Sequence, residues 1–193
     1  MTHQVHAFEP PERFVAGTVG PPGERTFFLQ ARGGGRLVTV ALEKVQVALL
    51  AEKLDELLVE ANRRFGVELP AVEPTPADNE PLDIPLDEEF RVGTLGLAFD
   101  VDTTTVVIEA IAAGEGDADE EDSDPDDDDD EEEDAELTAD RDRLRVRLTP
   151  DAARAFIERA RKVVASGRPP CPLCGQPLDA KGHLCPRHNG YRR

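Results

Sequence analysis

Tryptophan is absent from this chain of 193 residues, tyrosine occurs once, cysteine three times and histidine four times. Residues 7–170 contain no His, Cys or Tyr at all. A nucleophile paired with an imidazole base cannot be assembled there, and the protein is expected not to be an enzyme; an uncharacterised enzyme is the third-ranked reading. Carboxylates remain as candidates, notably Glu43 and the Asp100 and Asp102 of "FDVDTTT". An acid at a helix start suits the helix dipole, and Asp in such a stretch suits a hairpin turn, so neither is read as catalytic. The glycines of "AGTVGPPGE" and "ARGGGR" precede no helix and lack the Lys-Ser/Thr ending of a phosphate loop. They are read as turns. No apolar run of about 18 residues exists, so no membrane span is expected. The opening "MTHQVHAFEPPERF" lacks the basic-then-apolar plan of a signal peptide, and the expected location is the cytoplasm.

Charge is abundant but unevenly placed. The net charge of −19 is concentrated in residues 114–136, "GEGDADEEDSDPDDDDDEEEDAE", which carry 17 acids and no base. The remaining chain holds 24 acids against 22 bases. Residues 141–193 carry 13 Lys and Arg against 4 acids, so an acidic block abuts a basic end.

Two stretches repeat one order. "RFVAGTVG", "RTFFLQA" and "RLVTVALEKVQVALLAEKLDELLVEANRRF" are followed later by "FRVGTLGLAFD", "TTTVVIEA" and "DRLRVRLTPDAARAFIERARKVVASG". Val38, Val40 and Leu42 align with Leu144, Val146 and Leu148, at the two-residue spacing of a strand with one apolar face. Leu50, Leu54, Leu57 and Leu58 align with Phe156, Ala160, Val163 and Val164, at helical spacing. Thr149 is placed to cap the second helix, Pro150 to open it and Gly167 to end it. The "GTVG" and "GTLG" stretches are taken as equivalent turns. The expected fold is α+β: duplicated β-β-β-α units forming one antiparallel sheet of about six strands, with two helices on one face. The first unit spans residues 8–68 and the second residues 90–167. A Pro-rich connector, 69–89, straps the surface, and the acidic insert 114–136 is expected to be disordered.

Residues 168–193 form the last segment, read as a zinc ribbon. "CPLCG" places two thiolates two residues apart on a turn, with Gly175 free to adopt positive φ. Cys185 supplies a third ligand and His188 the fourth, with His183 as the alternative. Four ligands with no open position imply a structural Zn2+, because so short a tail has no core of its own.

The stretches "RFVAGTVG", "RTFFLQARGGGRLVTVALEK", "RVGTLGLAFD" and "GRPPCPLCGQPLDAKGHLCPRHNGYRR" together resemble an actinobacterial family catalogued as domain of unknown function 3090. That resemblance implies a cytoplasmic protein with a Cys-rich end and names no activity. The expected function is therefore binding or regulation, with a protein partner. The alternative is single-stranded nucleic acid, held on an Arg-rich sheet face gated by the acidic loop. Arg143, Arg145 and Arg147 alternate with core residues and point outward, and Arg187, Arg192 and Arg193 add charge near the ribbon. Two β-β-β-α units are similar in general plan to single-strand binders of the PUR-alpha and Whirly type, whose repeats usually carry four strands. The sequence leaves the oligomeric state open.

Overall fold

The computed structural model describes residues 3–67, 78–114 and 140–167. Seven strands and two helices follow in the order β1 (Val5–Phe8), β2 (Arg13–Val19), β3 (Thr26–Gly33), β4 (Arg36–Leu42), α1 (Lys44–Phe65), β5 (Glu88–Asp100), β6 (Thr105–Ala112), β7 (Arg143–Leu148) and α2 (Pro150–Ala165). The α+β class and the twofold recurrence of three strands and a helix stand as expected. All seven strands form one sheet, ordered β1-β7-β6-β5-β4-β3-β2.

Three expectations are corrected. The strands number seven, because the short β1 runs parallel beside β7 and buries Phe8. Four residues with one deeply buried side chain carry too little alternation to show in the sequence. The sheet is mixed, not antiparallel throughout, because β4 and β5 also pair in parallel where the two units meet. A rise into α1 and a return over the connector bring the chain back in the same direction, as any strand–helix–strand crossover does. Finally, "GTVG" and "GTLG" are not equivalent turns. Gly17 lies opposite Phe28, whereas Val107, which occupies the place of Phe28, lies opposite Ala98 and not Gly93. Both stretches begin inside strands, and an irregularity between Val92 and Thr94 shifts the register of β5.

The helix starts follow local chemistry. Glu43 caps α1 in a reciprocal box with Gln46, whose side chain accepts from the Glu43 N–H at 2.8 Å. At the other end Gly66 takes the left-handed conformation, φ 64°, and donates to Asn62. Thr149 caps α2 by accepting from Ala152 N–H at 3.3 Å, and Pro150 follows it. The helix ends at Ser166 without a left-handed glycine, so Gly167 does not play the expected part.

Both helices bury their apolar stripes on one face of the sheet. Leu50, Leu54 and Leu58 of α1 and Phe156 and Ala160 of α2 share a core with Leu29, Val40, Ile108 and Val146. Each fully buried leucine contributes about 1.5–3 kcal/mol. The helices do not stay over their own strands. Phe156 of α2 stacks on Phe14 of β2 at 4.7 Å, and Phe65 of α1 faces Phe99 of β5 at 6.4 Å. Between the helices, Asp55 of α1 accepts from Arg154 and Arg161 of α2 at 2.6 and 2.7 Å. The Arg161 hydrogen bond leads in holding the Asp55 carboxyl below its usual range, against burial. The two repeats therefore interlock around one core.

Candidate binding face on the sheet

The face of the sheet turned away from the helices has two halves built on one lattice. In the first, the cross-strand rows are Arg13–Arg32–Leu37, Val15–Gln30–Thr39 and Gly17–Phe28–Ala41. In the second, they are Thr94–Ile111–Arg143, Gly96–Glu109–Arg145 and Ala98–Val107–Arg147. Strand alternation puts each set on one side of the sheet, opposite the core residues between them. Gln30 thus corresponds in position to Glu109, and Thr39 to Arg145.

The first half is covered. Residues 78–84 of the connector cross it, and Val15, Phe28, Gln30, Thr39 and Ala41 are buried although they lie outside the main core. Gln30 holds both backbone groups of one connector residue: its Oε1 accepts from Asp83 N–H at 2.7 Å and its Nε2 donates to Asp83 C=O at 3.0 Å. Its Nε2 also donates to Thr39 Oγ1 at 3.0 Å, which fixes the amide orientation. The Asp83 carboxylate accepts from Arg13 and Arg32 at 3.0 and 3.1 Å. Leu82 lies so close over Gly17 that an added Cβ would stand 2.6 Å from its Cγ.

Further along the connector, Asp78 accepts from Arg13 at 2.6 Å and from Arg159 of α2 at 3.0 Å. Arg159 is buried and donates also to the carbonyls of Ala16, Glu80 and Asp78. Burial pulls its guanidinium pKa down, while the Arg13 hydrogen bond leads in holding the Asp78 carboxyl below its ordinary range. By binding Ala16 C=O, Arg159 also occupies an outward acceptor of the edge strand β2.

Among the described residues no segment crosses the Glu109 and Val107 rows of the second half, although Ile111, one row further, is buried. A shallow trough of about 350 Å³ runs along this half, lined by Gly96, Ala98, Val107, Glu109, Arg145 and Arg147. Arg145 Nε donates to Glu109 Oε1 at 2.5 Å, and Arg147 donates to Asp100 Oδ2 at 2.6 Å. Arg147 also lies 3.9 Å from Glu9. Asp100 accepts the Thr103 N–H at 3.1 Å, the hairpin role expected of it. That bond and the one from Arg147 hold its carboxyl below the ordinary range. The Glu109 and Arg145 side chains are 25% and 40% exposed, against 1% for Gln30 as a residue, so the same positions meet solvent here.

The outward aim of Arg143, Arg145 and Arg147 is as expected. The sequence does not single out Glu109 and Asp100 as the carboxylates that meet two of them. Sequence reasoning also missed Gln30, although a polar residue fourth in the apolar runs "FFLQA" and "VVIEA" was the visible signal. Cys171, Cys174, Cys185, His183, His188, Arg187, Arg192 and Arg193 lie outside the described residues, as does the acidic insert from residue 115. Among the described residues, no group of His, Cys, Asp and Glu is arranged to hold a metal, and no helix is long and apolar enough to cross a membrane.

A family model described as "Protein of unknown function (DUF3090)" matches residues 6–185, nearly the whole chain, and the protein belongs to that family. The match takes in both strand–helix repeats and the three cysteines, and it stops short of His188. No curated protein and no solved structure matches.

Proposed function

We propose that this member of the family is a non-enzymatic binding protein of the cytoplasm whose partner is another protein, docked on the open half of the sheet face, β5–β6–β7. One observation carries this reading: two of the three arginines of that face, Arg145 and Arg147, are matched by acids. Glu109 meets Arg145, and Asp100 meets Arg147. A surface of alternating sign offers little to a phosphate chain, whose binding rests on uncompensated cations. Among the described residues no aromatic side chain stands on this half of the face, so bases have no stacking platform there. Small residues, partly exposed apolar groups and fixed charges suit a protein surface better. Residues 171–188 hold a structural Zn2+ in the same reading, through Cys171, Cys174, Cys185 and His188, with His183 the alternative. A three-thiolate, one-imidazole set is an ordinary closed zinc site.

The test is a photo-activated cross-linker placed at Val107, in the trough, and a second at Val59 on the helix side. Irradiation in the native cell is expected to join the Val107 position to protein and leave the Val59 position unjoined. Cross-links to RNA or DNA at Val107, or equal yields at the two positions, would overturn the reading. Metal analysis of the purified chain tests the zinc site. About one Zn2+ per chain is expected, lost in Cys171→Ser, and lost in His188→Ala but not in His183→Ala.

A further inference from the structure

The covered half of the sheet is an internal complex between a sheet face and an extended segment, and the open half repeats its lattice with charged residues at the reading positions. From this we infer that the open half is a seat for an extended segment of the partner protein, held through its backbone by Glu109 and Arg145. The inference rests on the reading that this face docks a protein.

The argument starts from what Gln30 does. One primary amide supplies an acceptor to the N–H and a donor to the C=O of the same residue, Asp83. That pairing recognises extended backbone whatever the side chain. At the equivalent place Glu109 is an acceptor and has no donor, while Arg145 is a donor and has no acceptor. The two are joined through Arg145 Nε and Glu109 Oε1. Glu109 Oε2 and the terminal nitrogens of Arg145 take no part in that bond, and among the described residues they remain as an acceptor and a donor on neighbouring strands. Together they offer the complement that Gln30 offers alone, and charge-assisted bonds are shorter and stronger than the neutral pair.

The flanking rows differ in how their arginines are met. On the covered half the carboxylate of Asp83 falls between Arg13 and Arg32. On the open half the cations stand on β7, where Arg147 borders the same trough as Arg145. Both are already met by acids, Arg145 by Glu109 and Arg147 by Asp100, so the seat selects extended backbone and no side-chain charge. Space differs between the halves in one respect. Opposite Gln30 stands Val15, while opposite Glu109 stands Gly96; over Gly17 rides Leu82, while Ala98 takes that place in the second half. The glycine has moved by one row, to Gly96, so an apolar ligand residue sits nearer the Glu109 row than Leu82 sits to the Gln30 row.

The probe is a capped peptide of sequence Glu-Pro-Leu-Asp-Ile-Pro-Leu, the chain's own covering segment, added to the full-length protein. Backbone NMR shifts are expected at Gly96, Ala98 and Val107. Methylation of the peptide's Asp nitrogen removes the N–H that Glu109 accepts, and about a tenfold loss of affinity is expected. Glu109→Ala is expected to lose as much. Glu109→Gln recreates the Gln30 chemistry and is expected to keep the affinity within about threefold. Shifts confined to other surfaces, no binding at millimolar peptide, or equal binding of the methylated peptide would overturn the proposal. So would peptide-blocked self-association of the protein, which assigns the seat to a second copy, or binding that appears only after removal of residues 115–139, which assigns it to the chain itself. A protein cross-link at Val107 together with an indifferent peptide would sink this mode of recognition and leave the proposed function standing.

Discussion

The covered and open halves of the sheet share their cross-strand lattice, yet one is part of the folded interior, while in the other the Glu109 and Arg145 side chains are partly exposed. In the covered half, neutral Gln30 and Thr39 are 1% exposed, and burial is tolerable because the amide bonds to backbone and hydroxyl alike. In the open half, Glu109 and Arg145 occupy the same places. Burying such a pair under apolar cover costs more than its Coulomb energy returns, whereas at a wet surface it costs little. The comparison teaches that exposure of a sheet face can be inferred from the ionic character of one cross-strand pair. It also identifies the covering segment as a structural member of the first repeat, held chiefly by side chains on β2, β3 and α2.

The largest effect in this comparison is expected where the covering segment meets the second helix. Arg159→Ala takes their donor from the carbonyls of Ala16 and Asp78, leaves Glu80 C=O to Arg13 alone, and takes one of two arginines from Asp78. A loss of about 3 kcal/mol or more is expected, seen as a lower urea midpoint at unchanged slope. Arg159→Lys is expected to rescue little, since one ammonium cannot reach acceptors spread around a planar fork. A loss under about 1 kcal/mol would mean that the covering segment is held by the sheet alone.

The next prediction compares the halves directly. In Gly17→Ala the new methyl would stand 2.6 Å from Leu82 Cγ, and Leu82 cannot retreat freely while Gln30 holds the backbone of Asp83. A loss of about 1–3 kcal/mol is expected. In Gly96→Ala the nearest atom among the described residues is Glu109 Cβ at 3.7 Å, an ordinary contact, and a change within about 0.5 kcal/mol is expected. Neither glycine has positive φ, so the difference reports space alone. Equal effects at the two positions would erase the distinction between covered and open.

Much of this arrangement was legible before any coordinates. Alternation in "RLVTVAL" and "RLRVRL" marks β4 and β7 and the outward side of Arg143, Arg145 and Arg147, because side-chain direction along a strand is a local property. The helices and their starts at Glu43 and Thr149 are local as well. What failed to show is set by non-local pairing. The parallel junction of β4 with β5 and the addition of β1 beside β7 depend on how the chain returns, which no periodicity records. The partners of the arginines are likewise a matter of register: Glu109 is 36 residues from Arg145, and Asp100 is 47 from Arg147. The prolines of the connector announce an extended strap. Its path across the rear of β2 and β3 is decided by Gln30, Gly17 and Arg13, each unremarkable in its own stretch.

The smallest effect is expected from acid, and it also separates the halves. Each holds one aspartate below the ordinary carboxylate range: Asp78 chiefly through the Arg13 hydrogen bond, and Asp100 chiefly through the Thr103 N–H with Arg147 second. A carboxyl depressed in the folded state contributes stability that is fully present above its unfolded value, about 3.9 for aspartate, and is lost as pH falls through the folded value. The loss therefore starts below about pH 5. Asp78 is 34% exposed, so solvent screens its contribution and the change is modest. Its consequence is nevertheless long in range, because Asp78 joins the covering segment to both β2 and α2, whereas Asp100 closes its own hairpin and binds one strand. Hydrogen exchange followed from pH 6 to pH 3, corrected for intrinsic rates, is expected to show lost protection at the Asp83 amide, which belongs to the covering segment. The Asp78→Asn variant starts lower at pH 6 and changes less on acidification. Parallel curves for the two proteins would remove Asp78 as the group that ties the covered half together in acid.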